Sequence, residues 1–281
     1  MSPTQQVPTK FSRFKRFFVR FVFIILTCYI SGCFLIYFNQ EKLLFHPEKL
    51  ANTHTFSFET PFREFNLKTA DDESLNGLLF SGDSTHTRLI FYLHGNAGNI
   101  EDMEGPAAFY AALGYDFCSF DYRGFGKSSG SNSNQDQLVD DVRLVYKHLK
   151  KQYRESEIVI IGYSLGTGPA TIVASENHPK QLVLLAPYYS VKELAAERHP
   201  YIPSFLVAYP FETFRYIQQV KCPISIFHGK EDKAIPYSSS KKLAGLIKKG
   251  DCFIPLENCD HNGIANQPEF QQMIRKTLLI N

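Results

Sequence analysis

The pentapeptide Gly162-Tyr163-Ser164-Leu165-Gly166 sets a serine between two glycines, where an apolar run, Ile158 to Ile161, gives way to a small-residue run, Thr167 to Ala174. The first run reads as a buried strand and the second as a helix. A serine on so sharp a strand-to-helix turn carries its hydroxyl at the end of the strand. The glycines permit close backbone approach, and the helix N-terminus adds N–H groups. The chemistry this permits is nucleophilic attack, with Ser164 as nucleophile. The plain alternative is a structural turn serine.

A hydroxyl is a poor nucleophile without a base, and the base must be oriented by a third group. For this kind of turn the expected order along the chain is Ser, then Asp or Glu, then His. Two downstream segments supply it. Pro223 to Gly229 reads as a strand, and Lys230-Glu231-Asp232 follows it. Cys252 to Leu256 reads as another, followed by Glu257-Asn258-Cys259-Asp260-His261. Asp232 is therefore expected as the acid and His261 as the base, both on loops at the carboxyl ends of strands, where open parallel sheets form their sites. Glu231 and Asp260 are competing carboxylates. Asp260, adjacent to His261 in the chain, is awkwardly placed to reach that imidazole.

Acyl chemistry also needs two N–H donors aimed at the developing oxyanion. One is expected from Leu165, directly after the nucleophile, and the other from the loop after the third strand. Arg88 to Leu93 reads as that strand and His94-Gly95-Asn96-Ala97-Gly98-Asn99 as its loop, with the Asn96 N–H as donor. The same loop also reads as a glycine turn capping the next helix through Asn99. A metal role for His94 is disfavoured, because no second ligand stands at a suitable spacing. Asp121-Tyr122-Arg123-Gly124-Phe125-Gly126 ends the strand Asp116 to Phe120. Arg123 there either binds a substrate phosphate or carboxylate or, as we prefer, braces the active-site loop together with Asp121.

The elements that must carry these loops alternate along the sequence. Arg63 to Leu67 and Leu75 to Phe80 read as an antiparallel strand pair, after which strands and helices take turns. Leu138, Val142, Val145 and Leu149 recur at helical spacing, and Ser238 to Lys249 and Pro268 to Ile280 read as the last two helices. Such alternation predicts a mostly parallel sheet covered on both faces, an α/β fold. Residues 188–216 interrupt it. They are rich in tyrosine, phenylalanine and proline and are expected either to cap the site or to pack on the sheet edge.

Taken together, His94 to Asn99, Asp121 to Ser128, the Ser164 pentapeptide, His228 to Asp232 and Asp260-His261-Asn262 resemble the Bem46 and ABHD12/13/17-like group of membrane-anchored serine hydrolases, over roughly residues 40–280. The resemblance implies the α/β-hydrolase fold with a short cap insertion. It also implies a nucleophile, acid and base at Ser164, Asp232 and His261, and action on lysophospholipids, monoacylglycerols or acylated proteins. One departure is Asp260, where the group usually carries glycine before the histidine.

The 281 residues suit an N-terminal segment, 1–39, and one catalytic domain, 40–281. A hydrophobic content of 44% and a charged content of 21% fit a globular core, and a net charge of +2 makes no case for nucleic acid. Phe21 to Phe38 has no charged side chain, and as an 18-residue helix it spans ~27 Å against a bilayer core of about 30 Å. Lys10, Arg13, Lys15, Arg16 and Arg20 precede it, which predicts a single-pass helix with a cytoplasmic N-terminus and an extracytoplasmic catalytic domain. The rival is a lipobox, Ile30-Ser31-Gly32-Cys33, with lipidation at Cys33. The protein is thus expected to be a membrane-anchored serine hydrolase that cleaves ester or thioester bonds of lipophilic acyl substrates through an acyl-enzyme on Ser164. It needs no metal and no organic cofactor. The alternatives are a serine peptidase or amidase of the same fold and a non-catalytic membrane scaffold.

Overall fold

The computed structural model describes residues 10–81 and 87–279; of the basic N-terminal stretch, residues 1–9 lie outside these, as does Ile280. The chain divides into two compact units, 1–40 and 41–281. Most of the helix α1 (Lys10–Leu44) belongs to the first unit. By length and composition α1 is apolar enough, over Phe14–Leu44, to cross a membrane.

The second unit is built on eight strands. These are β1 (Phe62–Lys68), β2 (Ser74–Phe80), β3 (Leu89–Leu93), β4 (Asp116–Phe120), β5 (Ile158–Tyr163), β6 (Gln181–Leu185), β7 (Ile224–Gly229) and β8 (Cys252–Leu256). They form one sheet in the order β8-β7-β6-β5-β3-β4-β2-β1. β2 runs antiparallel to both its neighbours, and all other pairs are parallel. The helices are α2 (Glu104–Ala111), α3 (Gln135–Leu149), α4 (Thr167–Glu176), α5 (Val191–Arg198), α6 (Thr213–Ile217), α7 (Tyr237–Ala244) and α8 (Pro268–Leu279).

The central strands are buried at nearly every position because both faces of the sheet are covered. Successive side chains alternate between two cores. Phe91, Leu93, Ile158 and Ile160 pack with Leu138, Val142, Val145 and Leu149 of α3 and Ile172 of α4. Ile90, Tyr92, Val159 and Ile161 pack with Tyr110 of α2 and Phe270, Ile274 and Leu278 of α8. The penultimate helix is shorter than the expected Ser238 to Lys249, since α7 ends at Ala244 with Gly245 as its C-cap. Leu246 and Ile247 prolong the apolar pattern and still pack on the core, but from a turn.

Strand order reverses between β3 and β5, which are neighbours in the sheet although β4 lies between them in sequence. Leu93 pairs with Gly162, so the loops leaving these two strands emerge side by side. This crevice outside the carboxyl ends is where an open α/β sheet binds ligands.

Candidate active site

Ser164 sits where β5 turns through a short 3₁₀ segment, Ser164–Gly166, into α4. Its φ is +51°, a left-handed conformation costing a non-glycine residue about 1–3 kcal/mol. The flanking glycines are required by packing. A Cβ on Gly166 would lie 2.2 Å from the Leu93 carbonyl oxygen, and one on Gly162 would lie 2.6 Å from that of Gly166. The turn is tied down on its inner side. The Thr167 hydroxyl donates to the Ser164 carbonyl at 2.6 Å, and the Tyr188 hydroxyl donates to that of Leu165 at 2.9 Å while accepting from Gly168 N–H at 3.1 Å.

Three side chains from three loops converge. His261 Nε2 lies 2.9 Å from Ser164 Oγ, and His261 Nδ1 lies 2.6 Å from Asp232 Oδ2. Because a carboxylate only accepts, Nδ1 carries the proton and Nε2 presents its lone pair to the serine hydroxyl. The β7 and β8 loops are joined by a bond from Glu231 N–H to the Cys259 carbonyl at 3.0 Å. The His261 loop is further held by Tyr163, whose hydroxyl donates to Asn262 Oδ1 at 2.8 Å. The competing carboxylates are elsewhere. Glu231 is exposed, and Asp260 is exposed and accepts from Gly263 N–H at 2.8 Å.

Asp232 is saturated. Oδ1 accepts from the N–H groups of Ala234 and Ile235, each at 2.8 Å. Oδ2 accepts from a second imidazole as well, with His228 Nε2 at 3.1 Å. Burial alone would raise the carboxyl, but the bonds from His228 and His261, with Ile235 N–H, outweigh it and hold Asp232 well below the usual carboxylate range. His228 is fully buried at the end of β7. Its Nε2 also faces the Ile235 carbonyl at 3.0 Å, so it has only acceptors before it and must carry the proton, while Nδ1 meets the Ser240 hydroxyl. The sequence places this histidine in the segment His228 to Asp232, four residues before the acid, but does not show that its ring turns back onto that carboxylate.

A cleft of about 250 Å³ opens beside Ser164 and His261, lined also by Tyr92, Gly95, Asn96 and Tyr163. Asn96 thus lines the cleft, and Leu165 follows Ser164 in the 3₁₀ segment that precedes α4. Asn99 caps the following turn, accepting from Glu101 N–H at 2.7 Å, so the loop serves as cap and cleft wall together. None of the lining comes from 188–216. Tyr188, Tyr209 and Phe211 of that segment are buried in the core with α3 and α4, whereas Tyr201 and Phe205 are 63% and 81% exposed. Arg123 does not reach the cleft either. Its guanidinium is buried between Asp141, at 2.6 and 2.9 Å, and Asp71, which is the bracing role. Among the described residues no group of three or more His, Cys, Asp or Glu side chains is placed to hold a metal.

Asp121 holds the turn after the β3 loop, accepting from Ile100 N–H at 3.0 Å. Burial raises its carboxyl to about 8. The folded value lies above the unfolded one near 3.8, so the fold favours the protonated acid. Its contribution to stability is full below pH ~4 and is lost as pH rises towards about 8. Asp121→Asn should remove this slope, with the variant gaining on wild type in thermal melts from pH 5 to 8, by ~2–4 °C for each kcal/mol recovered. Melting curves that stay parallel across that window would contradict the assignment.

The chain is similar to several known proteins. Residues 84–210 match the family model described as serine aminopeptidase, S33. The chain is 30% identical to the lysophosphatidylserine lipase ABHD12 of Xenopus tropicalis over 69% of its own length and 58% of that protein. It therefore spans little more than half the length of that relative. It is 27% identical to an uncharacterized protein of Mycobacterium tuberculosis, over 86% of this chain and 87% of that one. Among solved structures, the Pyrococcus furiosus esterase Pf2001 superposes with a TM-score of 0.67 at 18% identity, covering 83% of this chain and 98% of that one, a likeness of fold.

Proposed function

From the premise that this chain is an ABHD12-like α/β-hydrolase, we propose that it is a membrane-anchored serine hydrolase that cleaves ester or thioester bonds of lipophilic acyl substrates. The observation that carries the reading is the relay Ser164–His261–Asp232, with contacts of 2.9 and 2.6 Å. Ser164 Oγ attacks the acyl carbonyl while His261 Nε2 takes its proton. Asp232 holds the imidazole in the productive tautomer and stabilises the imidazolium. The N–H groups of Asn96 and Leu165 hold the oxyanion. The imidazolium then protonates the leaving group, and a water activated by His261 deacylates Ser164.

The lipid side of the proposal rests on two supports. The ABHD12 relatives are lipases of a lysophospholipid, and α1 has the length and composition of a membrane span. In this reading the basic residues before α1 keep the N-terminus cytoplasmic and the catalytic unit lies on the far side. The continuity of α1 through Cys33 favours a spanning helix over a lipidated N-terminus at that cysteine. A second reading, a peptidase, is favoured by the description of the matching family model.

A substrate panel decides between them. Carbonate-washed membranes bearing the full-length protein are assayed with acyl esters, acyl thioesters and aminoacyl or peptide amides. Activity should stay with the washed membranes, since hydrophobic insertion is not screened by salt, and should fall on esters and thioesters at least about 10³-fold above amides. Preferential turnover of amides would establish the peptidase. Release of the protein by the wash would remove the membrane anchor from the account.

A further inference from the structure

Asn96 is held from outside the sheet. The segment just after the first unit, residues 41–50, lies along the loop that follows β3. His46 and Pro47 pair in parallel with Ala97 and Gly98. Asn96 is gripped at both ends, its Nδ2 donating to the Leu44 carbonyl at 2.7 Å and its own carbonyl accepting from His46 N–H at 2.7 Å. Glu48 N–H continues the ladder to the Gly98 carbonyl at 3.0 Å.

The other edge of the segment is bonded too. The Glu48 carbonyl accepts from Gly126 N–H, and Leu50 N–H donates to the Gly126 carbonyl, both at 2.9 Å. Glu41 Oε1 accepts from Asn132 N–H at 2.8 Å. Phe45 is buried, edge-on to Tyr209 with ring centroids 5.2 Å apart. Residues 41–50 are therefore a fixed strap and not a free linker.

We propose that this strap is a positioning element for the oxyanion donor, so that the segment leading out of the apolar helix is part of the catalytic apparatus. The inference rests on the reading of the Asn96 N–H as that donor. The peptide plane bearing this N–H begins at Gly95, which has no Cβ to resist rotation. On one side it is held by His94 Nδ1, 2.8 Å from the Gly95 carbonyl. On the other side the strap fixes the Asn96 carbonyl and side chain. Without the strap, the His94 contact alone opposes rotation of the N–H out of the cleft. A donor must be aimed before charge develops to contribute fully to the rate.

The test uses the full-length protein in detergent, assayed on a short soluble ester. A Gly-Ser pair is inserted either between Gln40 and Glu41, before the strap, or between Leu44 and Phe45, inside it. Both lengthen the tether equally. The first should leave kcat within 3-fold of wild type. The second should lower kcat about 10²–10³-fold, the loss seen on removing one oxyanion donor, with KM within about 3-fold. It should also weaken a trifluoromethyl ketone, which forms a tetrahedral adduct, by a similar factor. Asn96→Ala keeps the backbone N–H but loses the bond to Leu44, and should show the same split at about 10-fold. It decides the matter if the inner insertion does not fold. Equal effects of the two insertions, or a folded inner insertion and an Asn96→Ala variant both with wild-type kcat, would overturn the proposal. Failure of the underlying reading looks different: wild type itself would then resist the ketone or keep its activity when Ser164 is replaced.

Discussion

Ser164→Ala is expected to lower kcat by roughly 10⁴–10⁶ and to abolish labelling by a fluorophosphonate probe, with the fold intact. Only one oxygen is removed, and the backbone at φ +51° is held by neighbours that the substitution does not touch: the Thr167 and Tyr188 hydroxyls and the tight approach of Gly166 to Leu93. The remaining groups can still bind substrate and hold an oxyanion, so a small rate above water persists, as when one member of a catalytic triad is deleted in another serine hydrolase. His261→Ala should be comparably severe, since the hydroxyl 2.9 Å away then has no base. Initial rates with circular dichroism on the same samples make the check. A folded Ser164→Ala variant with full activity would remove the proposed mechanism.

Asp232→Asn should be the most damaging carboxylate substitution, costing about 10³–10⁴ in kcat because an amide facing Nδ1 favours the wrong imidazole tautomer. Glu231→Gln and Asp260→Asn should each stay within about 3-fold, since neither side chain approaches His261 and both are exposed. His228→Gln should fall between these limits. It removes one of two imidazoles on Asp232 Oδ2, so the depressed carboxyl moves up towards its ordinary range. The sign follows from linkage. A lowered acid contributes stability that is present above its unfolded value of 3.8 and lost as pH falls through the folded value, so His228→Gln should lose stability and activity at a higher pH than wild type. If Asp260→Asn proved the worst of the three, the acid would be misassigned. An unchanged acid limb in His228→Gln would mean that this imidazole does not act through Asp232.

The groups that meet at Ser164 were legible because each stands directly after an apolar strand, and a parallel sheet gathers such loops at one edge. The same alternation located most of the strands and the two-sided core. What escaped the sequence depends on contacts between distant segments. The bond from His228 to Asp232 spans four residues, but the sequence does not show that the ring turns back onto that carboxylate. Tyr188, the hydroxyl that ties Leu165, belongs to a stretch whose aromatic richness pointed equally to a cap and to core packing. Its members divide, Tyr188 and Phe211 going inside and Phe205 outside. The strap was silent for a stronger reason. Leu44 and His46 act through a backbone carbonyl and a backbone N–H, groups that nearly every residue type shares. The end of α7 was overrun because Leu246 and Ile247 keep an apolar pattern that a turn satisfies as well as a helix.

The central claim, an acyl-enzyme on Ser164, is tested most directly by trapping it. Purified full-length protein is mixed with a chromogenic ester of a short acyl group, quenched in acid within one turnover and mapped by peptide mass spectrometry. The account predicts a pre-steady-state burst approaching one equivalent of leaving group per enzyme where deacylation is the slower step, and a peptide heavier by the acyl group with the modification on Ser164. Hydrolysis proceeding with Ser164 unmodified under those conditions, or an acyl group found on another residue and still formed in Ser164→Ala, would contradict it.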